Sequence, residues 1–229
     1  SAERGDRVNL RLPDSQMEYL REVSKDRTNK LVVVLTGGSP IDVKEITELA
    51  DAVVMAWYPG QEGGVALANL LFGDANFSGR LPVTFPESAD KLPAFDDYSM
   101  KGRTYKYMTD NILYPFGYGL SYSKVNYSNA AVSKLPTKHA PMVVSVDLSN
   151  DGNMPVDEVA QVYLSTPSAC KTSPIESLIA FKRVKIAPHA TVTTDFEIPV
   201  ERLETVQADG TSKLLKGEYQ IKISGAAPC

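Results

Sequence analysis

The chain has 229 residues, 43% of them apolar and 23% charged, with a formal net charge of −4. Such a composition builds a proper hydrophobic core, and the length suits one large domain or two ordinary ones. The mildly acidic balance gives no electrostatic reason to expect nucleic acid or an anionic membrane as partner, and no run approaches the roughly 20 apolar residues of a spanning helix.

The opening "SAERGDRVNL" is polar and starts as if in mid-protein, which suggests a fragment or a processed piece. The stretch "PDSQMEYLREVSKD" then predicts an amphipathic helix, with Pro13 near its first turn and Met17, Leu20 and Val23 facing inward. "LVVVL" (31–35) is a short β-branched run of the buried, parallel-sheet kind, followed by the loop "TGGSP". "IDVKEITELA" carries Ile41, Ile46, Leu49 and Ala50 near helical spacing, and "AVVMAW" (52–57) predicts a second strand like the first. "VALANLLFG" follows as a helix with Val65, Ala68, Leu71 and Phe72 on one face and Gly73 closing it. Helix, strand, helix, strand, helix is the rhythm of an α/β layer with a parallel sheet.

After residue 80 that rhythm stops. "GRLPVTFPESADKLPAF" has three prolines and reads as an irregular surface connection, and the tyrosine- and glycine-dense stretch to "KVNYS" carries little helix signal. The small, polar "NAAVSKLPTKHA" reads as a linker over 129–139 between a first domain of 1–128 and a second of 140–229. From "MVVSVDLSN" onward apolar and polar residues alternate, with turns at intervals suited to a β-sandwich.

Few residues offer chemistry. Cys170 and Cys229 form no disulfide framework and lack metal-like neighbours, so both read as free thiols without a catalytic role. With only two histidines, His139 and His189, both in polar loop settings, neither a histidine metal site nor a Ser-His-Asp triad has its raw material. "LTGGSP" sits between a strand and a helix, as a phosphate loop does, but the GxGxxG spacing and any GK[ST] are missing. "AWYPGQEGG" (56–64) is more telling, because it sets the lone carboxylate Glu62 on a glycine-rich turn just ahead of an apolar helix. The bland reading is a solvated carboxylate favoured by the helix dipole. The sharper one is a catalytic acid, which needs apolar neighbours to hold its proton near neutral pH, and Trp57 and Tyr58 offer such a wall and a face for a sugar.

The pieces "GDRVNLRLPDSQ", "LVVVLTGGSPI", "AWYPGQEGG", "LLFGDANFSGRLPVTFP", "GRTYKYM" and "YPFGYGLSYSKVNY", in that order, resemble the C-terminal part of a family 3 glycoside hydrolase, a β-xylosidase or β-glucosidase. "DEVAQVYLS" and "SLIAFKRVKIAPHATVTTDFEI" resemble that family's fibronectin type III-like domain. The resemblance implies an α/β three-layer sandwich with a mainly parallel sheet, followed by a fibronectin type III/immunoglobulin-like sandwich. It also implies a retaining exo-glycosidase acting on β-linked oligosaccharides of plant type, as in xylan breakdown, with no metal or organic cofactor. The nucleophile would be an aspartate on an N-terminal (β/α)8 barrel, the partner domain of the same enzyme. Glu62 would be the acid/base, with Glu3, just ahead of "GDR", as the alternative, and Trp57, Tyr58 and Gln61 would contact substrate. "GRTYKYM" leans towards the β-xylosidase branch and "GQE" towards the β-glucosidase one, with the β-xylosidase favoured, and a periplasmic or secreted location fits the family. Arg103 and Lys106 read as structural or interdomain residues, and Asp96 and Asp97 as barrel contacts or an outer subsite. A rival reading, from another class, is a non-catalytic carbohydrate-binding or scaffolding fragment.

Overall fold

The computed structural model describes residues 9–137, 140–167, 173–207 and 209–228. Glu3, His139, Cys170 and Cys229 lie outside the described residues. The first part runs α1 (Asp14–Ser24), β1 (Val32–Thr36), α2 (Lys44–Leu49), β2 (Ala52–Trp57) and α3 (Gly63–Phe72). Strands β1 and β2 pair in parallel, Val32 opposite Ala52 through Leu35 opposite Met55. Met17 and Leu20 of α1, Ile46 of α2 and Leu35 of β1 are buried in one core with Ile41, Val43 and Phe85, and Val23 packs on its edge. The inward face read from the α1 periodicity is therefore the observed one.

Asp51 ties down the N-terminal end of β1. Its carboxylate accepts from the Leu31 amide at 2.9 Å and from Lys30 Nζ at 2.9 Å, and it pairs with Arg27. The Leu31 amide above all, then Lys30 and Arg27, hold this carboxyl far below the usual range. A carboxyl lowered in the folded state stabilises the fold above its unfolded pKa of about 4, and that contribution is lost as pH falls below it. Asp51→Asn should therefore show a smaller drop in melting temperature between pH 5 and pH 2 than the parent protein. An equal acid limb in both would remove Asp51 from the account of acid stability.

Helix α3 departs from expectation. Gly73 closes it in the left-handed conformation, φ 83°, as its place in the sequence suggests. The face formed by Val65, Ala68, Leu71 and Phe72, however, stands exposed, Phe72 at 85%. Periodicity identifies an apolar stripe, but not what covers it.

Beyond α3 the chain loops through β3 (Phe85–Pro86), the single turn α4 (Thr104–Tyr107) and β4 (Ile112–Tyr114), with β3 and β4 paired antiparallel. The β-sandwich comes next. One sheet has the order β5 (Val125–Lys134), β6 (Met142–Asn150), β9 (Thr191–Ile198); the other has β12 (Gln220–Ser224), β7 (Val156–Ser165), β8 (Ser177–Ile186). A two-stranded ribbon, β10 (Thr205–Val206) with β11 (Ser212–Lys213), lies beside them. Strict alternation along β6 buries Met142, Val144, Val146 and Leu148 against Val156, Ala160, Val162 and Phe196. Strand β5 extends into the stretch read as a linker: Ala131, Val132 and Lys134 pair with β6. It is an edge strand whose second half is exposed, so its residues are small and polar, much as a linker's are.

The tyrosine- and glycine-rich stretch becomes the seam between the two parts. Tyr105 stacks on Phe116 with 4.7 Å between ring centroids and meets Tyr163 of β7 edge-on at 5.9 Å. The Tyr105 hydroxyl accepts from the Leu178 amide at 3.2 Å, and the Lys106 carbonyl accepts from the Ile175 amide at 2.8 Å. Arg103 instead donates to the carbonyls of Pro93 and Ala94, closing its own loop. At the centre of the seam Arg80 Nη2 donates to both carboxylate oxygens of Glu158, at 2.9 and 2.8 Å, with only 11% and 5% of the two side chains exposed. The Tyr127 hydroxyl is buried beside this pair, and burial followed by the Glu158 charge raises it well above the ordinary tyrosine value.

Candidate active site

In an open parallel sheet, ligands collect outside the carboxyl ends of the strands. Here that edge is made of two loops: Gly37, Gly38 and Ser39 after β1, and Tyr58 to Glu62 after β2. A hydrogen bond from the Gly37 amide to the Trp57 carbonyl, 3.2 Å, joins them. A third segment reaches the same edge, because the Asp42 amide donates to the Leu10 carbonyl at 2.8 Å. Leu10 is thereby anchored at that edge.

The register slips between Leu35 and Thr36: Leu35 faces Met55 but Thr36 faces Trp57, so Ala56 is the extra residue of a bulge. Trp57 then adopts φ 53°, a left-handed conformation that a bulky side chain rarely takes. The strained turn sends the indole inward. It packs against the first core and meets Phe85 edge-on at 6.3 Å between centroids. The indole is half-buried there, and this packing gives Glu62 no apolar wall from Phe85's side of the ring. Tyr58 points the other way, 78% exposed, with the outer part of its ring beside Gly38.

Glu62 is the residue just before α3, φ −88° and ψ 6°, and its side chain caps no helix amide. The carboxylate is exposed and makes no hydrogen bond or ion pair with a described residue. Gln61 is exposed beside it, and Pro59 packs on the buried Gly63 to set the turn. The structure thus groups Tyr58, Gln61 and Glu62 at one edge and turns the Trp57 indole towards the core. Among the described residues no group of three or more His, Cys, Asp or Glu could hold a metal ion. His189 lies 3.0 Å from Asn153 in a sandwich turn. No helix among the described residues is long and apolar enough to cross a membrane.

An α/β layer with its loops at the strand ends, bolted to a fibronectin-like sandwich, is the arrangement of a glycosidase C-terminal region. The family model for the glycosyl hydrolase family 3 C-terminal domain matches residues 1–122, and that for the fibronectin type III-like domain matches residues 158–227. The chain belongs to glycosyl hydrolase family 3. It is 40% identical to a xylan 1,4-beta-xylosidase of Xylanibacter ruminicola over 95% of its own length and 25% of that protein's. A periplasmic beta-glucosidase of Salmonella typhimurium is 34% identical over 88% of this chain and 28% of its own. Among solved structures, the beta-D-glucoside glucohydrolase of Trichoderma reesei superposes with a TM-score of 0.87 at 27% identity, over 97% of this chain and 35% of that one. The chain therefore spans about a quarter to three tenths of the curated relatives it matches.

Proposed function

We propose that this chain is the acid/base-bearing portion of a retaining exo-β-glycosidase, with a β-xyloside as preferred substrate and the nucleophile on a barrel domain of the same enzyme. The observation that carries this is the convergence of three segments on one strand-end edge: the chain at Leu10, the Gly37–Gly38 loop and the Glu62 turn. In a retaining mechanism one carboxyl forms the glycosyl-enzyme bond while the other protonates the departing oxygen and later deprotonates water.

Two carboxylates compete for the second role. Glu62 gains no apolar wall from the side of the Trp57 ring that meets Phe85, and its position is fixed to the end of α3. Glu3 lies seven residues ahead of the Leu10 anchor, which covalent geometry limits to about 23 Å from it. A carboxyl offered to a second domain is better served by that reach, so Glu3 is placed ahead of Glu62. The β-xyloside preference is supported by the higher identity to the xylosidase than to the glucosidase relative. Steady-state rates of the full-length protein on aryl β-xyloside and aryl β-glucoside test it: the xyloside should have the larger kcat/KM. A larger value for the glucoside reverses the preference, and no hydrolysis of either removes the reading.

A further inference from the structure

Among the described residues the parallel sheet of the first domain has two strands, β1 and β2, paired only with each other. Parallel sheets are otherwise covered on both faces, and two strands alone are marginal in water. One face here is covered: Val33 and Leu35 of β1 and Val53 and Met55 of β2 pack in the first core with α1 and α2. The other face, formed by Val32, Val34 and Val54, belongs to neither core, and Val32 is 41% exposed. Helix α3 stands in the same condition. Its ten residues carry no charge, and none of them belongs to either core. A helix that is apolar around most of its circumference is built to be buried.

The backbone shows which groups of β1 are open. The Leu31 carbonyl accepts from the Asp51 amide at 2.9 Å, and the Gly37 amide donates to the Trp57 carbonyl at 3.2 Å. Leu31 and Gly37 thus both turn their polar groups towards β2. Strand alternation then aims Val33 and Leu35 at β2 and the amides of Val32, Val34 and Thr36 the opposite way. Among the described residues no hydrogen bond meets those three amides.

Handedness gives the side from which a partner comes. Helices α1 and α2 lie together on one face of the sheet, where Arg21 Nη2 donates to Glu45 Oε2 at 2.9 Å. A connection from one parallel strand through a helix to the next is right-handed almost without exception. Because α1 leads into β1 on the same face as α2 leads into β2, a strand feeding α1 falls beside β1, on the side away from β2.

We propose that a parallel β-strand from polypeptide ahead of Ser1 in the whole enzyme pairs along this edge of β1, and that the layer it belongs to covers the Val32 face and α3. There is chain enough to supply it, since these residues span only about a quarter to three tenths of the curated relatives. The carboxyl end of that strand meets the loops after β1 and β2, so the chain running on to Leu10 passes along the candidate active edge. The pairing does not depend on the glycosidase reading.

The test uses the full-length protein. Residue-resolved hydrogen exchange should find the amides of Val32, Val34 and Thr36 as slow as those of Val33 and Leu35. Exchange about a hundredfold faster at the first three leaves the edge open and overturns the strand. Val32→p-benzoylphenylalanine, irradiated, should cross-link to a peptide from the polypeptide ahead of Ser1. A cross-linked peptide from residues 1–229, in the same chain or in a second copy, overturns the assignment. Phe72→Asp should lower the melting midpoint by about 4 °C or more, because it puts a charge into a covered face, and Phe72→Leu by much less. A shift within about 1 °C for Phe72→Asp leaves α3 in water and overturns the covering layer.

Discussion

In the full-length enzyme, Glu3→Gln should lower turnover of xylobiose by about a hundred- to ten-thousand-fold, the usual worth of a general acid/base. The loss should shrink sharply for a substrate whose leaving group departs without protonation, because the first step then has no need of the acid. Glu62→Gln should cost about tenfold or less, and by similar factors on both substrates. The reason is local: Glu62 precedes α3 in the open, and the indole expected to shield it is turned into the core against Phe85. The reverse pattern, large and leaving-group-dependent loss in Glu62→Gln alone, would reassign the proton to Glu62 on the same edge. Small losses in both variants would take the acid away from this edge altogether.

The second large effect is on stability. Arg80→Met should leave the Glu158 carboxylate buried in the seam without a cationic partner, facing the Val159 amide, 3.0 Å from Oε1, and the Tyr127 hydroxyl. Removing one partner of a buried ion pair costs about 3–5 kcal/mol, far more than the pair is worth against an apolar replacement. Since about 1 kcal/mol moves the midpoint of a domain of this size by some 2–4 °C, a fall of roughly 6–20 °C is expected by calorimetry. The double variant Arg80→Met/Glu158→Leu should recover much of it, because no uncompensated charge remains. A shift below about 2 °C in the single variant would mean that the seam admits water and that the two domains are not bolted by this pair.

Some of these features were declared by the residues, and others only by folding. The strands "LVVVL" and "AVVMAW" and the helix over Met17 and Leu20 were readable because β-branched runs and helical spacing act locally, and the two strands appear within a residue of their predicted places. Alternation in "MVVSVDLSN" marked β6 for the same reason. The direction of Trp57 was not readable. It depends on a bulge at Ala56 and on a left-handed backbone that tryptophan avoids, so nothing in the residue type announces it. The Tyr58 and Gly38 contact was equally hidden, being a meeting of two loops 20 positions apart.

The Arg80–Glu158 bolt leaves a trace in the sequence. Glu158 shares the inward parity of Val156, Ala160 and Val162 along β7, and a carboxylate on an apolar face must have a partner. The partner's identity, 78 positions away, needed the fold. The exposed stripe on α3 shows the converse: periodicity found Val65, Leu71 and Phe72 on one face, yet this chain buries little of it.

Azide rescue of Glu3→Ala on an aryl β-xyloside with a good leaving group, with the product's anomeric configuration read by NMR, is the sharpest measurement available. Removing the acid/base of a retaining enzyme leaves, with such a substrate, a long-lived sugar ester that a small anion attacks from the vacated side, so the predicted product is the β-glycosyl azide with restored turnover. An α-azide, or no acceleration by azide in either the Glu3 or the Glu62 variant, would contradict a proton delivered from here.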